Sequence, residues 1–148
     1  MRFYIAGKAR GGEATLTDIK IKLESKGHRC LYDWAGGGVR KPYLDHRNTN
    51  LEPATMMHYA ATHCQAFILV WHPSLLDALI ELGMAFGNIG NDELASGKTN
   101  RRVYVLEDPS EPLRQSIFYV FPIVRICHDD EDLYAAVEAD FPPEDGHG

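Results

Sequence analysis

The run "QAFILVW" (Gln65 to Trp71) constrains the fold of this 148-residue chain more than any other feature. It is almost wholly apolar and lacks the alternation of a half-exposed strand, so it reads as a strand covered on both faces, the condition met in a parallel sheet. A strand of that kind belongs at the centre of its sheet, with helices above and below.

The rest of the chain supplies those partners. "RFYIAG" (Arg2 to Gly7) is short, rich in β-formers and stopped by glycine, which predicts an opening strand. A helix from about Thr15 carries Leu16, Ile19, Ile21 and Leu23 and ends at Gly27, where glycine can adopt the left-handed cap. "HRCLYDW" (His28 to Trp34) is a second strand candidate, followed by the glycine-rich loop "AGGGVRKPY". "EPATMMHYAATHC" (Glu52 to Cys64) predicts a helix with Pro53 near its first turn. After the apolar strand come a helix from Leu75 to Phe86, a polar connection, the strands "RRVYVLE" and "FPIVRIC", and a terminal helix "DEDLYAAVEADF". Strands alternate with helices throughout. The expected fold is a single α/β domain over residues 1–141 with a flexible tail, 142–148: a Rossmann/flavodoxin-like sheet of about five mostly parallel strands with helices on both faces. In such sheets ligands bind at the carboxyl ends of the strands.

Composition narrows the partners. With 15 basic and 21 acidic residues the net charge is -6, which offers no general attraction to polyanions and argues against duplex nucleic acid. No apolar run approaches the roughly 20 residues of a membrane span, and three widely spaced cysteines (Cys30, Cys64, Cys127) suit buried free thiols. A cytoplasmic location is expected. His58, His63, Cys64 and His72 match no standard zinc spacing, and neither a metal nor another cofactor is expected. "GKTN" (Gly97 to Asn100) lacks the first glycine and the following helix of a phosphate loop, so it reads as a turn.

The helix "SLLDALIELGMAFG" sets Asp77 and Glu81 one turn apart. On a helical wheel Leu75, Leu79, Leu82 and Phe86 line one side, and Ser74, Asp77, Glu81 and Ala85 the other. One reading makes the two acids the wet face. The other starts from their position, because a helix directly following the central strand opens over the ligand crevice. A carboxylate there can attack an anomeric carbon while a neighbouring acid protonates a leaving base. Double-displacement glycosyl chemistry wants the two groups about 5 Å apart, a distance that residues four apart on a helix roughly meet.

"YIAG" (Tyr4 to Gly7), "AFILV" (Ala66 to Val70) and "ELGMA" (Glu81 to Ala85), in that order, resemble the nucleoside 2-deoxyribosyltransferase family, including its relatives that hydrolyse nucleoside monophosphates. The resemblance spans about the first 90 residues. It implies that Glu81 is the nucleophile that takes the sugar from the base, and that Tyr4 and Gly7 lie near the substrate. Ser74 stands near the phosphate-binding serine of the monophosphate-hydrolysing relatives, one residue further from the glutamate. The chain departs from the family at Lys8, where proline is usual, and it lacks the family's aspartate on the helix before the central strand. Asp77 is the residue available to replace that acid. The resemblance further implies a small-molecule nucleoside or nucleotide partner and a homo-oligomer. The run "SIFYVF" (Ser116 to Phe121) reads as either a subunit contact or core.

Three further groups carry double readings. Asp33 and Trp34 close the second strand candidate, where they contact ribose or base, or pack beneath the glycine loop. Lys8, Arg10, Arg40 and Lys41 sit in two loops that hold a phosphate or are simply solvated. The same strand order also resembles Toll/interleukin-receptor-like domains, some of which cleave NAD, and a non-catalytic nucleotide-sensing module on this scaffold is the third alternative.

Overall fold

The computed structural model of the protein describes residues 1–8, 14–36 and 39–143. Among the described residues five strands form one sheet: β1 (Arg2–Gly7), β2 (Arg29–Cys30), β3 (Ala66–Val70), β4 (Arg102–Leu106) and β5 (Val124–Cys127). Their spatial order is β2-β1-β3-β4-β5, and every pairing is parallel. β3 takes the centre, and all five of its residues are buried, because each face of a central parallel strand lies under helices.

The side-chain alternation of the strands divides the core in two. Tyr4 and Ala6 of β1, Phe67 and Leu69 of β3, and Val103 and Val105 of β4 point to one face, under α2 (Arg47–His63), α3 (Asp77–Gly87) and α4 (Asn91–Ser96). Phe3, Ile5, Ile68, Val70, Tyr104 and Leu106 point to the other, against α1 (Ala14–Ser25) and α5 (Asp130–Asp140). The Rossmann/flavodoxin-like expectation therefore holds, with β1 and β3 side by side at the middle of the sheet. β1 and β3 approach most closely at Gly7, whose φ is +135° and where a Cβ would stand 2.1 Å from the Val70 carbonyl oxygen. Only glycine fits there.

The sequence reading and the structure differ chiefly in four places. The second strand is two residues long instead of spanning His28 to Trp34. After Leu31 donates its N–H to Phe3 O, the chain leaves this sheet edge, and Trp34 to Gly36 form a 3-10 turn. Helix α2 begins at Arg47, so Pro53 lies in its second turn and not near its start. One missing N–H removes one rung of the helical ladder, and burial of Pro53 offsets part of that loss. The expected polar connection contains α4, which closes at Gly97 in the left-handed conformation, φ +70°. At six residues it is too short to show a helical period. The fourth difference concerns the faces of α3: its buried side is Ala78, Leu82 and Ala85, while Leu79 is exposed. Ala85 was expected on the polar side and Leu79 in the core. The reversal follows from docking by small residues, which lets the helix sit close over β1 and β3.

Candidate active site

Glu81 occupies the second turn of α3, flanking the alanine-rich buried side, and is half-buried. The wet-face reading of this acid fails. Tyr4, on the face of β1 that α3 covers, is fully enclosed and directs its phenol toward Glu81. The phenol is near enough to favour the charged carboxylate, yet the pair falls short of hydrogen-bond geometry: Tyr4 Oη and Glu81 Oε2 are both buried without a partner among the described residues. Burial dominates the electrostatics. Desolvation pushes the Glu81 carboxyl up to about 7, the phenol opposes that rise, and the Asp77 charge one turn away adds to it. The Tyr4 hydroxyl is held above its ordinary range by burial first and by the Glu81 charge second.

Asp77 is the first residue of α3 and is exposed. Just before it, Ser74 joins two other groups at the carboxyl ends of β1 and β3. Ser74 N–H donates to His72 Nδ1 at 3.1 Å, and Ser74 Oγ lies 2.7 Å from the same nitrogen. Because Nδ1 accepts from the backbone, the imidazole N–H sits on Nε2. Lys8 Nζ donates to Ser74 Oγ at 3.5 Å. The cap residue of α3, Leu76, provides no side-chain bond, so the amides of the first turn lack a side-chain cap. The sequence argument considered His72 only as a metal ligand. Its two-residue spacing from Ser74, in the loop between the central strand and α3, is the signal that points to their pairing.

The remaining expected site residues are dispersed. Trp34 donates its indole N–H to Ile5 O at 2.7 Å and packs against both core clusters, so its ring is anchored beside β1. Asp33 forms an ion pair with Lys20 at 2.8 Å, which raises the lysine's pKa through that hydrogen bond. Arg40 is exposed, and its backbone is clasped by the Asn50 amide through bonds of 2.9 and 2.8 Å. Lys41 lies over the Tyr43 ring, 5.4 Å from its centroid. No hydrogen bond or ion pair joins Arg40 or Lys41 to Lys8 or Ser74 among the described residues. Arg10 and residues 144–148 of the tail lie outside them.

A second region lies along the same sheet edge. Beyond the ends of β4 and β5, a recess of about 360 Å³ is lined by Glu107, Asp108, Ser110, Glu111, Leu113 and His128. It contains none of the expected site residues. Its polar groups bind one another: His128 Nδ1 pairs with Glu107, and the Asp108 carboxylate accepts from Ser110 N and Oγ at 2.9 and 2.7 Å.

No protein-family model and no curated protein matches the sequence. Among solved structures, that of the Clostridium botulinum CMP N-glycosidase BcmB is similar to this chain, with a TM-score of 0.59 and 15% identity. The likeness covers 93% of this chain and 99% of that one. At this identity it shows a shared fold.

Proposed function

We propose that the chain breaks the N-glycosidic bond of a nucleoside 5'-monophosphate, with Glu81 as nucleophile. The observation that carries the reading is the half-buried Glu81 carboxyl, whose Oε2 is buried with no hydrogen-bond partner among the described residues, close to the equally unbonded Tyr4 phenol. Burying a carboxylate without a bond costs stability, and such arrangements gather where a group is held for chemistry. The fold likeness to a CMP N-glycosidase supports a nucleotide as substrate.

In the first step a Glu81 oxygen attacks the anomeric carbon. The bond from that carbon to the base nitrogen breaks, its electron pair leaves with the base, and Asp77 or water returns a proton to the base. A glycosyl ester on Glu81 remains. Water then attacks the same carbon, releasing the sugar phosphate and restoring the carboxylate; a second base in place of water gives base exchange. A carboxyl near pH 7 is well suited to this cycle, since it ionises readily enough to attack and leaves readily as a carboxylate. Tyr4, being enclosed, acts on the substrate through Glu81. The donor set of Lys8, Ser74 Oγ and His72 Nε2–H, with the first-turn amides of α3, binds the 5'-phosphate. Gly7 brings β1 close to β3 beneath that set.

The test is a substrate panel of CMP, other ribo- and deoxyribonucleoside monophosphates, the corresponding nucleosides and NAD, read by chromatography for free base. The proposal expects base from monophosphates in preference to nucleosides, and none with Glu81→Gln. Cleavage of NAD alone transfers the site to a different substrate class, and no base from any compound overturns the enzymatic reading.

A further inference from the structure

Arginines gather at the edge of the sheet opposite Glu81, where the strands begin: Arg2 in β1, Arg29 in β2, Arg101 and Arg102 at the start of β4, and Arg125 in β5. The pairing register sorts them by face. Arg102 aligns with Ala66 and points with it toward α5, where Asp140 forms ion pairs with both Arg102 and Arg125. The neighbouring rung points the other way, toward the carboxyl ends of α2 and α3. On it Arg29 stands in register with Arg2, and Gln65 and Arg101 follow, one residue before the aligned Ala66 and Arg102. Gln65 N–H donates to Arg2 O and Arg102 N–H to Gln65 O, each at 2.8 Å, so the row crosses four strands without a break. Contacts with α2 agree with that face. Arg101 Nη1 donates to Thr62 O at 3.0 Å, and the charges of Arg101 and Arg2 oppose the rise that burial imposes on the Cys64 thiol.

This row has no balancing charge. From Pro53 to Asn91, the span that builds most of α2 and all of β3 and α3, the acids are Asp77 and Glu81, and both lie in the half of α3 nearer the opposite edge. Arg2 and Arg29 are exposed, and neither side chain forms a hydrogen bond or ion pair among the described residues. Adjacent strands lie about 4.8 Å apart, so the two side chains start next to each other and their charges repel. Where a carboxylate is at hand, as at Asp140, the same sheet edge neutralises its arginines. We infer that the row of Arg29, Arg2 and Arg101 binds a linear oligophosphate, free or carried by a nucleotide. Each guanidinium is a planar fork that matches phosphate oxygens. A carboxylate has oxygens for one such fork; three in line call for a succession of them. Arg2 and Arg101 are two strand spacings apart, about 9.5 Å, which suits a chain of phosphates better than a single one, and the Gln65 amide between them retains its N–H donors while its Oε1 accepts from Arg2 N at 2.8 Å. A net charge of -6 gives the chain no general attraction for polyanions, so an occupant is held by this local row. The full length of β3 separates it from Lys8 and Ser74, and the inference is independent of the chemistry at Glu81.

Isothermal titration with inorganic tripolyphosphate tests it, in about 0.15 M salt so that diffuse attraction is screened. The wild type and Lys8→Ala should bind alike. Arg2→Gln and Arg29→Gln should each bind about 10-fold more weakly, the scale of one charged hydrogen bond. Arg2→Lys should lose as much, because an ammonium keeps the charge and not the fork. Since Arg2 and Arg29 are exposed, circular dichroism should be the same for all variants, and tripolyphosphate should raise the melting temperature of the wild type but not that of the Arg2→Gln, Arg29→Gln double variant. Titration with ATP then separates the two sources: binding at least as tight as that of tripolyphosphate identifies a nucleotide as the carrier, and weaker binding identifies the free oligophosphate. Absence of binding to the wild type, loss in Lys8→Ala instead of in the arginine variants, or full binding by Arg2→Lys overturns the inference.

Discussion

Two places along the carboxyl edge of the sheet hold a glutamate, and they are built on opposite plans. Beyond β4, Glu107 meets His128 across an open recess, and the imidazolium is favoured because that carboxylate accepts its proton-bearing nitrogen. Over β1 and β3, Glu81 has a phenol near it that stops short of bonding, a like charge one turn away, and one carboxylate oxygen shut off from water. The first arrangement has already used its electrostatic potential on itself. The second retains it for something else. A half-buried carboxylate with no cation beside it among the described residues is a more informative sign of chemistry than a hollow whose Glu107 and Asp108 carboxylates already pair with their neighbours.

The widest gap between the two regions should appear in turnover. Glu81→Ala should lower base release by at least about 10³-fold, because a nucleophile acts only by being present. Glu107→Gln should change it by less than about twofold, since it removes only an exposed pairing. Chromatographic assay of both variants on the same monophosphate checks this, and comparable losses from both would erase the distinction.

Stability against pH separates them next. The Glu81 carboxyl titrates near 7 in the fold against 4.5 in the open chain, so the folded state holds the proton more tightly. Stability tied to this group is full below pH 4.5 and declines as the pH rises to about 7, by about 3 kcal/mol in all. Glu81→Gln should thus equal the wild type at pH 4 and exceed it at pH 8 by up to that amount in urea unfolding. At Glu107 the sign belongs to its partner. His128, with its pKa raised, contributes while protonated, and that contribution fades as the pH rises above the ordinary imidazole range.

The sheet was legible from the sequence because burial on both faces leaves a nearly unbroken apolar run, and "AFILV" could occupy only the centre. The place of Glu81, on the helix that directly follows that strand, was legible for a related reason: the apolar run fixes where the next helix must start. The orientation of α3 was not. Its wheel has apolar residues on both sides, so the period could not tell the alanines that pack on the sheet from the leucines that face outward. Trp34 misled in another way. Its β-forming neighbours describe a strand, but an indole bond to Ile5 O holds that segment in a turn. The pairing of His72 with Ser74 depends on loop geometry that no periodicity encodes.

A smaller effect is expected at that loop. Ser74→Ala and Lys8→Ala each remove a donor from the proposed phosphate set. Each should raise KM for a monophosphate by about 10-fold, the scale of a charged hydrogen bond, while leaving the slow cleavage of the matching nucleoside nearly unchanged. Equal losses on both substrates would place Ser74 and Lys8 in the fold and not at the phosphate.

The subtlest distinction lies in the pH profile, where the two neighbours of Glu81 act in opposite directions. The phenol favours the charged carboxylate and the Asp77 charge disfavours it. The acidic limb of kcat/KM should therefore move to higher pH in Tyr4→Phe and to lower pH in Asp77→Asn, because attack requires the ionised form. If Asp77 also delivers the proton to the leaving base, its replacement lowers kcat as well; an electrostatic neighbour shifts the acidic limb and does nothing else. Movement of both acidic limbs in one direction would mean that some other group governs them, and the nucleophile would then have to be sought elsewhere along the edge, with the paired carboxylate beyond β4 as the first place to look.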